Sequence, residues 1–254
     1  MALSHRQKLT IISLLFYWPV IFILAHVPIP LFVRRAGVSD KSLHFLAYLI
    51  LVFLLWFAIS PDRKVNWRKA AVWWILLVMV WYGAFDEWLQ VYVGRNPDVM
   101  DFFADLVGAL AGLILLSIFS FWSASLVVTG ITIFLLTNLA RANPAELLPI
   151  TNAVFHPFAY GFFTMLWIRH IHHFLSMKAP QPKWLIVASA LPIAFLLSVK
   201  LFSVISGRYF GVWDVIISIV GIAAVVVTVF LIALFRKTQE TRLKTQDSRH
   251  KTQV

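Results

Sequence analysis

The chain has 254 residues, of which 61% are hydrophobic and 13% charged, with no cysteine and a formal net charge of +11. That composition excludes a soluble globular domain, which cannot hide so much apolar surface, and the lack of cysteine excludes disulfides and thiolate metal sites. The positive charge does not read as a nucleic-acid footprint: the basic residues are mostly juxtamembrane, where they set topology and attract anionic headgroups.

In chain order, the apolar runs predict helices near 9–28, 42–60, 70–87, 101–120, 123–140, 152–171, 184–202 and 213–235. Each has roughly the length needed to cross about 30 Å of hydrocarbon at about 1.5 Å per residue. The alternation of barrel strands is absent, so the spans must satisfy their backbone as helices. The fold class is therefore all-α, a polytopic membrane bundle of about eight transmembrane helices. The first eight residues carry the charge of a signal peptide's leading region, but Leu9 to Ala25 lacks a small-x-small cleavage pattern and reads as a retained first helix. The tail after 235 repeats Lys-Thr-Gln and is polar enough to be expected as disordered.

Lysine and arginine decide orientation, because cytoplasmic loops retain them. With both termini in the cytoplasm, fifteen of them fall inside and seven outside, the seven being Arg34, Arg35, Lys41, Arg95, Arg141, Lys200 and Arg208. The chain also reads as two parallel copies of a four-helix plan, 1–121 and 122–235, followed by a basic tail, 236–254. His44, Tyr48, Arg95, Asp101 and Gly108 of the first copy correspond to His156, Tyr160, Arg208, Asp214 and Gly221 of the second. The second copy is degenerate where polar chemistry is expected: Asp40, Glu87, Gln90 and Asp105 give way to Asn152, Lys200, Ser203 and Ser218.

In the first copy the ionisable residues gather at the outer ends of three consecutive helices. Asp40, Lys41 and His44 open the second, Asp86, Glu87 and Gln90 close the third, Arg95 lies in the loop, and Asp101 and Asp105 open the fourth. Helical spacing aligns Lys41, His44 and Tyr48 on one face, Gly83, Glu87 and Gln90 on another, and Asp101, Asp105, Gly108 and Gly112 on a third. Asp40 and Asp101 also suit helix caps, and Gly108 and Gly112 suit close helix packing. His170, His172 and His173 read as a basic interfacial flank. Carboxylates at the depth of Glu87 and Asp105 are costly unless paired, and cations such as Lys41 and Arg95 are the expected partners. A His, a Glu and an Asp can hold a metal, but no zinc-type spacing is present, and neither a metal nor another cofactor is expected.

The order Asp40-Lys41-x-x-His44-x-x-x-Tyr48, Glu87-x-x-Gln90, Arg95, then Asp101-x-x-x-Asp105-x-x-Gly108 resembles the VanZ-like family over about residues 30 to 120. It departs at Asp105, where the family usually carries Asn. The resemblance implies a small integral membrane protein of the bacterial inner or plasma membrane, in a family named for resistance to a glycopeptide antibiotic.

Three functions fit these residues. The first is binding of an anionic, polyhydroxylated envelope lipid or lipid-linked sugar at the outer face. Lys41 and Arg95, with Arg34 or Arg35, would meet phosphate; Glu87, Gln90 and Asp101 would bind hydroxyls. The second is an enzyme acting on such a headgroup, with His44 or Glu87 as general base and Arg95 stabilising developing charge. The third is a transporter. Membrane lipids are the expected partners, and His156, Arg208 and Asp214 are secondary candidates.

Overall fold

The computed structural model describes residues 3–27, 39–60, 63–93, 97–139, 149–174, 177, 179–208 and 210–251, with backbone only at 139, 149–151 and 244–251. Among the described residues there are eight α-helices and no strand: α1 (His5–His26), α2 (Asp40–Ile59), α3 (Ala70–Gln90), α4 (Val99–Ile118), α5 (Phe121–Leu139), α6 (Pro149–Phe174), α7 (Pro182–Ile205) and α8 (Val212–Lys251). Seven of them are long and apolar enough to cross a membrane, so the chain is a multi-pass membrane protein. The one outside that set, α6, carries His156, Arg169, His170, His172 and His173.

Helix boundaries follow local chemistry. Helix α1 begins at His5 because the Ser4 side chain accepts a hydrogen bond from the Gln7 amide at 3.2 Å, a standard amino-terminal cap. Helix α3 runs on to Gln90 through Asp86 and Glu87, which are buried and continue its inner stripe. The stretch after 235, expected as disordered, continues α8 to Lys251. It contains neither Gly nor Pro and is rich in Arg, Lys and Gln, all good helix formers that extend a helix already nucleated in the apolar span.

The chain divides into two compact units, Met1–Leu147 and Leu148–Val254. Helix α5, expected to open the second half, belongs to the first. Its Phe121 ring packs edge-on against Phe57 at 4.8 Å, and Ala124 and Val128 enter the core of the first unit.

In the first unit α2 is the central helix, its buried side including Leu49, Leu51, Val52 and Trp56. Helix α4 lies directly against it. A Cβ added at Gly108 would collide with the Phe45 carbonyl oxygen, and one at Gly112 would come within 3.2 Å of Val52 Cγ1. Only glycine permits that approach of two backbones. Helix α1 is the outer wall, with 11% of its span buried, and is pinned to α2 by Gln7 Nε2 donating to the Ala58 carbonyl and Tyr17 Oη to the Ala47 carbonyl. In the second unit α6 meets α8 in the same manner: a Cβ at Gly221 would collide with the Pro157 carbonyl.

Candidate functional site

Three buried stripes end together. On α3 the inward residues are Val72, Ile75, Met79 and Gly83, then Asp86, Glu87 and Gln90. On α4 they are Asp101 and Asp105, then Gly108, Ala109, Gly112, Leu113 and Leu116. Each stripe follows the helical period, so the face that is apolar at one end presents carboxylates at the other. The close α2–α4 approach at Gly108 brings His44 and Tyr48 of α2 to the same level, both buried.

His44 is the hub. Its Nδ1 lies 2.9 Å from Asp105 Oδ1, and its Nε2 faces Asp101 Oδ2 at 3.9 Å and Asp40 Oδ1 at 4.0 Å. Glu87 Oε2 accepts the Asp98 backbone N–H at 2.9 Å, and Gln90 Nε2 lies 3.4 Å from Glu87 Oε1. Donor atoms of His44, Glu87 and Asp105, one from each of three helices, all lie within 4.8 Å of one another. Six residues expected together by sequence, Lys41, His44, Glu87, Gln90, Asp101 and Asp105, therefore gather at one end of the bundle; Arg95, like Arg34 and Arg35, lies outside the described residues.

Two expectations need correction. Lys41 does not neutralise Glu87 or Asp105: its Nζ donates to Asp98 Oδ2 at 2.7 Å and to Asp101 Oδ1 at 3.4 Å, because it is half exposed at the rim while those carboxylates lie deeper. Among the described residues no Lys or Arg nitrogen is within 4 Å of either. The cap of α4 is Asp98, whose Oδ1 accepts the Met100 N–H at 2.8 Å, rather than Asp101; likewise Ser39, not Asp40, occupies the cap position of α2. Asp98 also joins the cluster, through Lys41 and Glu87, although its place in the sequence does not mark it as a partner of either. An Asp just before the apolar run Val99-Met100 signals the cap alone. The Lys41 hydrogen bond, with help from the Met100 amide, holds the Asp98 carboxyl below the usual carboxylate range.

Residues 5–120, from α1 to the end of α4, match the family described as VanZ/LLP1. The first half of this chain is VanZ-like. Residues 121–254 lie outside that match, and no curated protein and no solved structure matches the chain.

Beside the polar cluster the VanZ-like half, closed by α5, holds a cavity of about 360 Å³. Most of its wall is apolar, formed by residues such as Val20, Ile21, Leu24, Ala47, Ile50 and Leu136, while Asp40, His44, Tyr48, Tyr82 and Asp86 supply polar groups. His44 thus belongs to both the cavity wall and the carboxylate cluster.

The second unit gathers its polar residues differently. Asp214 is held by Lys200 Nζ at 3.1 Å and Asn152 Nδ2 at 2.8 Å, with His156 Nε2 at 3.6 Å. Ser218 Oγ donates to the Asp214 carbonyl at 2.6 Å. Arg208 does not join this group among the described residues; its backbone N–H donates to the Ser203 carbonyl beyond the end of α7.

Proposed function

We propose that the VanZ-like half binds a single envelope lipid bearing a hydroxyl-rich, anionic headgroup, such as a lipid-linked sugar, at the outer face of a bacterial inner or plasma membrane. The observation that carries this reading is the cavity: about 360 Å³, apolar along α1, α2 and α5, with carboxylates, an imidazole and three tyrosines on its lining. That volume lies within the range of small-molecule sites, and an apolar wall with a few convergent polar groups suits an amphipathic ligand. Asp40 and Asp86 would accept hydrogen bonds from sugar hydroxyls; Lys41 at the rim, with Arg95, would meet phosphate. The outer placement rests on the distribution of Lys and Arg, fifteen against seven.

A second reading, an enzyme acting on the same headgroup, draws on the buried His44–Asp105 pair at 2.9 Å, which orients the imidazole as a general base requires.

The test is lipid mass spectrometry of the detergent-purified chain and of Ala47→Phe, which narrows the cavity and leaves every carboxylate in the sequence. The wild type retains one lipid class in excess over the membrane average, and Ala47→Phe loses it. Equal lipid profiles in the two proteins would end the reading; a chemically changed lipid after incubation would favour the enzyme. A reporter in the 90–99 loop should read external, and one after Val254 cytoplasmic.

A further inference from the structure

We infer that His44, Glu87 and Asp105 form a binding site for a divalent transition ion of the zinc type. The three donors come from α2, α3 and α4, are all buried, and lie within 4.8 Å of one another. Donors about 2.0 Å from a tetrahedral ion stand roughly 3.3 Å apart, so small shifts of side chains already in place bring them into coordination. Zinc-type spacing is missing from the sequence because each ligand sits on its own helix.

Two further observations point to a ligand here. Asp105 Oδ2 and Tyr48 Oη are buried and, each other apart, have no hydrogen-bond partner. Both abut Gly83, each 3.4 Å from where a Cβ would stand. A carboxylate buried in a helix bundle spanning a membrane favours a cation beside it, and the lysine of the cluster is already bonded to Asp98 and Asp101. The other observation is the surroundings of His44. With Nδ1 turned to Asp105, Nε2 faces Asp101 and Asp40 at 3.9 and 4.0 Å, the arrangement in which a carboxylate orients a metal-binding imidazole from behind.

One imidazole and two carboxylates favour a zinc-type ion over Mg²⁺ or Ca²⁺, which prefer all-oxygen shells. Three protein ligands leave a coordination position open. The site stands independently of the lipid reading.

The experiment is elemental analysis and equilibrium dialysis of the full chain in detergent, purified through a histidine-free tag, stripped with chelator and reloaded with Zn²⁺. The expected result is one ion per chain, with affinity lowered at least about 100-fold by Glu87→Gln or Asp105→Asn. Asp101→Asn should lower it about 10–100-fold, the effect typical of an outer-shell partner. Ala47→Phe, and the double change His170→Ala with His173→Ala, should leave that affinity unchanged. A thermal melt separates ligand loss from misfolding: without metal Asp105→Asn still unfolds cooperatively, and Zn²⁺ raises the melting temperature of the wild type but not of Glu87→Gln or Asp105→Asn. Absence of stoichiometric Zn²⁺ in the wild type overturns the inference, as does an affinity indifferent to Glu87→Gln and Asp105→Asn, or a wild-type melt that Zn²⁺ does not raise.

Discussion

The two units solve one packing problem alike and one charge problem differently. In each, a glycine lets a late helix lie against an earlier one, Gly108 at Phe45 and Gly221 at Pro157, and a buried histidine sits beside that contact, His44 or His156. In the second unit Asp214 has Lys200, Asn152 and His156 around it, and the group is closed. In the first, Asp86, Glu87, Asp101 and Asp105 are all buried, and the lysine of the cluster sits at the rim. The carboxylates of the first unit are met by imidazoles instead, Asp105 by His44 at 2.9 Å and Asp86 by His26 at 3.7 Å. The contrast sets a carboxylate-rich cluster in the first unit against one in the second that holds its own internal cation, Lys200.

The sharpest way to break the comparison is to open the closed side. Lys200→Ala should cost about 3–5 kcal/mol by leaving Asp214 buried without its cation, while the double change Lys200→Met with Asp214→Leu should recover most of it. Thermal unfolding in detergent reads both, and a loss under about 1 kcal/mol for the single change would mean the pair is not what holds the second unit. Next in size, Gly108→Leu and Gly221→Leu should each destabilise by about 3 kcal/mol, the upper range for overpacking, because the added side chain meets backbone that cannot yield. Damage at only one of the two glycines would disprove the shared packing.

The smallest effect lies at the rim. Lys41 holds Asp98 below the ordinary carboxylate range, so this contact stabilises the folded chain above that range, about pH 4, and the benefit is lost as pH falls through the lowered value. Melts taken from pH 5 down to pH 3 should show a modest acid-dependent loss in the wild type that Lys41→Met reduces; an unchanged profile in the variant would remove Lys41 from the account.

The helices were legible because a membrane span leaves a run of apolar residues that nothing else produces, and the facing stripes were legible because Asp101, Asp105, Gly108 and Gly112 repeat at helical intervals. What could not be read was partnership across helices. Lys41 looked equally able to serve Glu87, Asp101 or Asp105, and only the relative depth of the helices assigns it to Asp98 and Asp101. The placement of α5 was hidden for a similar reason: its apolar sequence is compatible with either unit, and the choice is made by Phe121 finding Phe53 and Phe57. The helical continuation of α8 past 235 runs against the polarity of that stretch and follows from its freedom from Gly and Pro.

The cavity has a consequence for selectivity. Its walls along α1 include Val20 and Leu24, which are at least half exposed, and a lipid tail is already as apolar as the leucines it would meet. Moving an acyl chain from bilayer to cavity exchanges one hydrocarbon for another and releases little water, so partition of the tail contributes almost nothing to preference. On the proposed lipid reading, discrimination would fall to the few ångströms around His44, and chain length or saturation would be nearly invisible to the site.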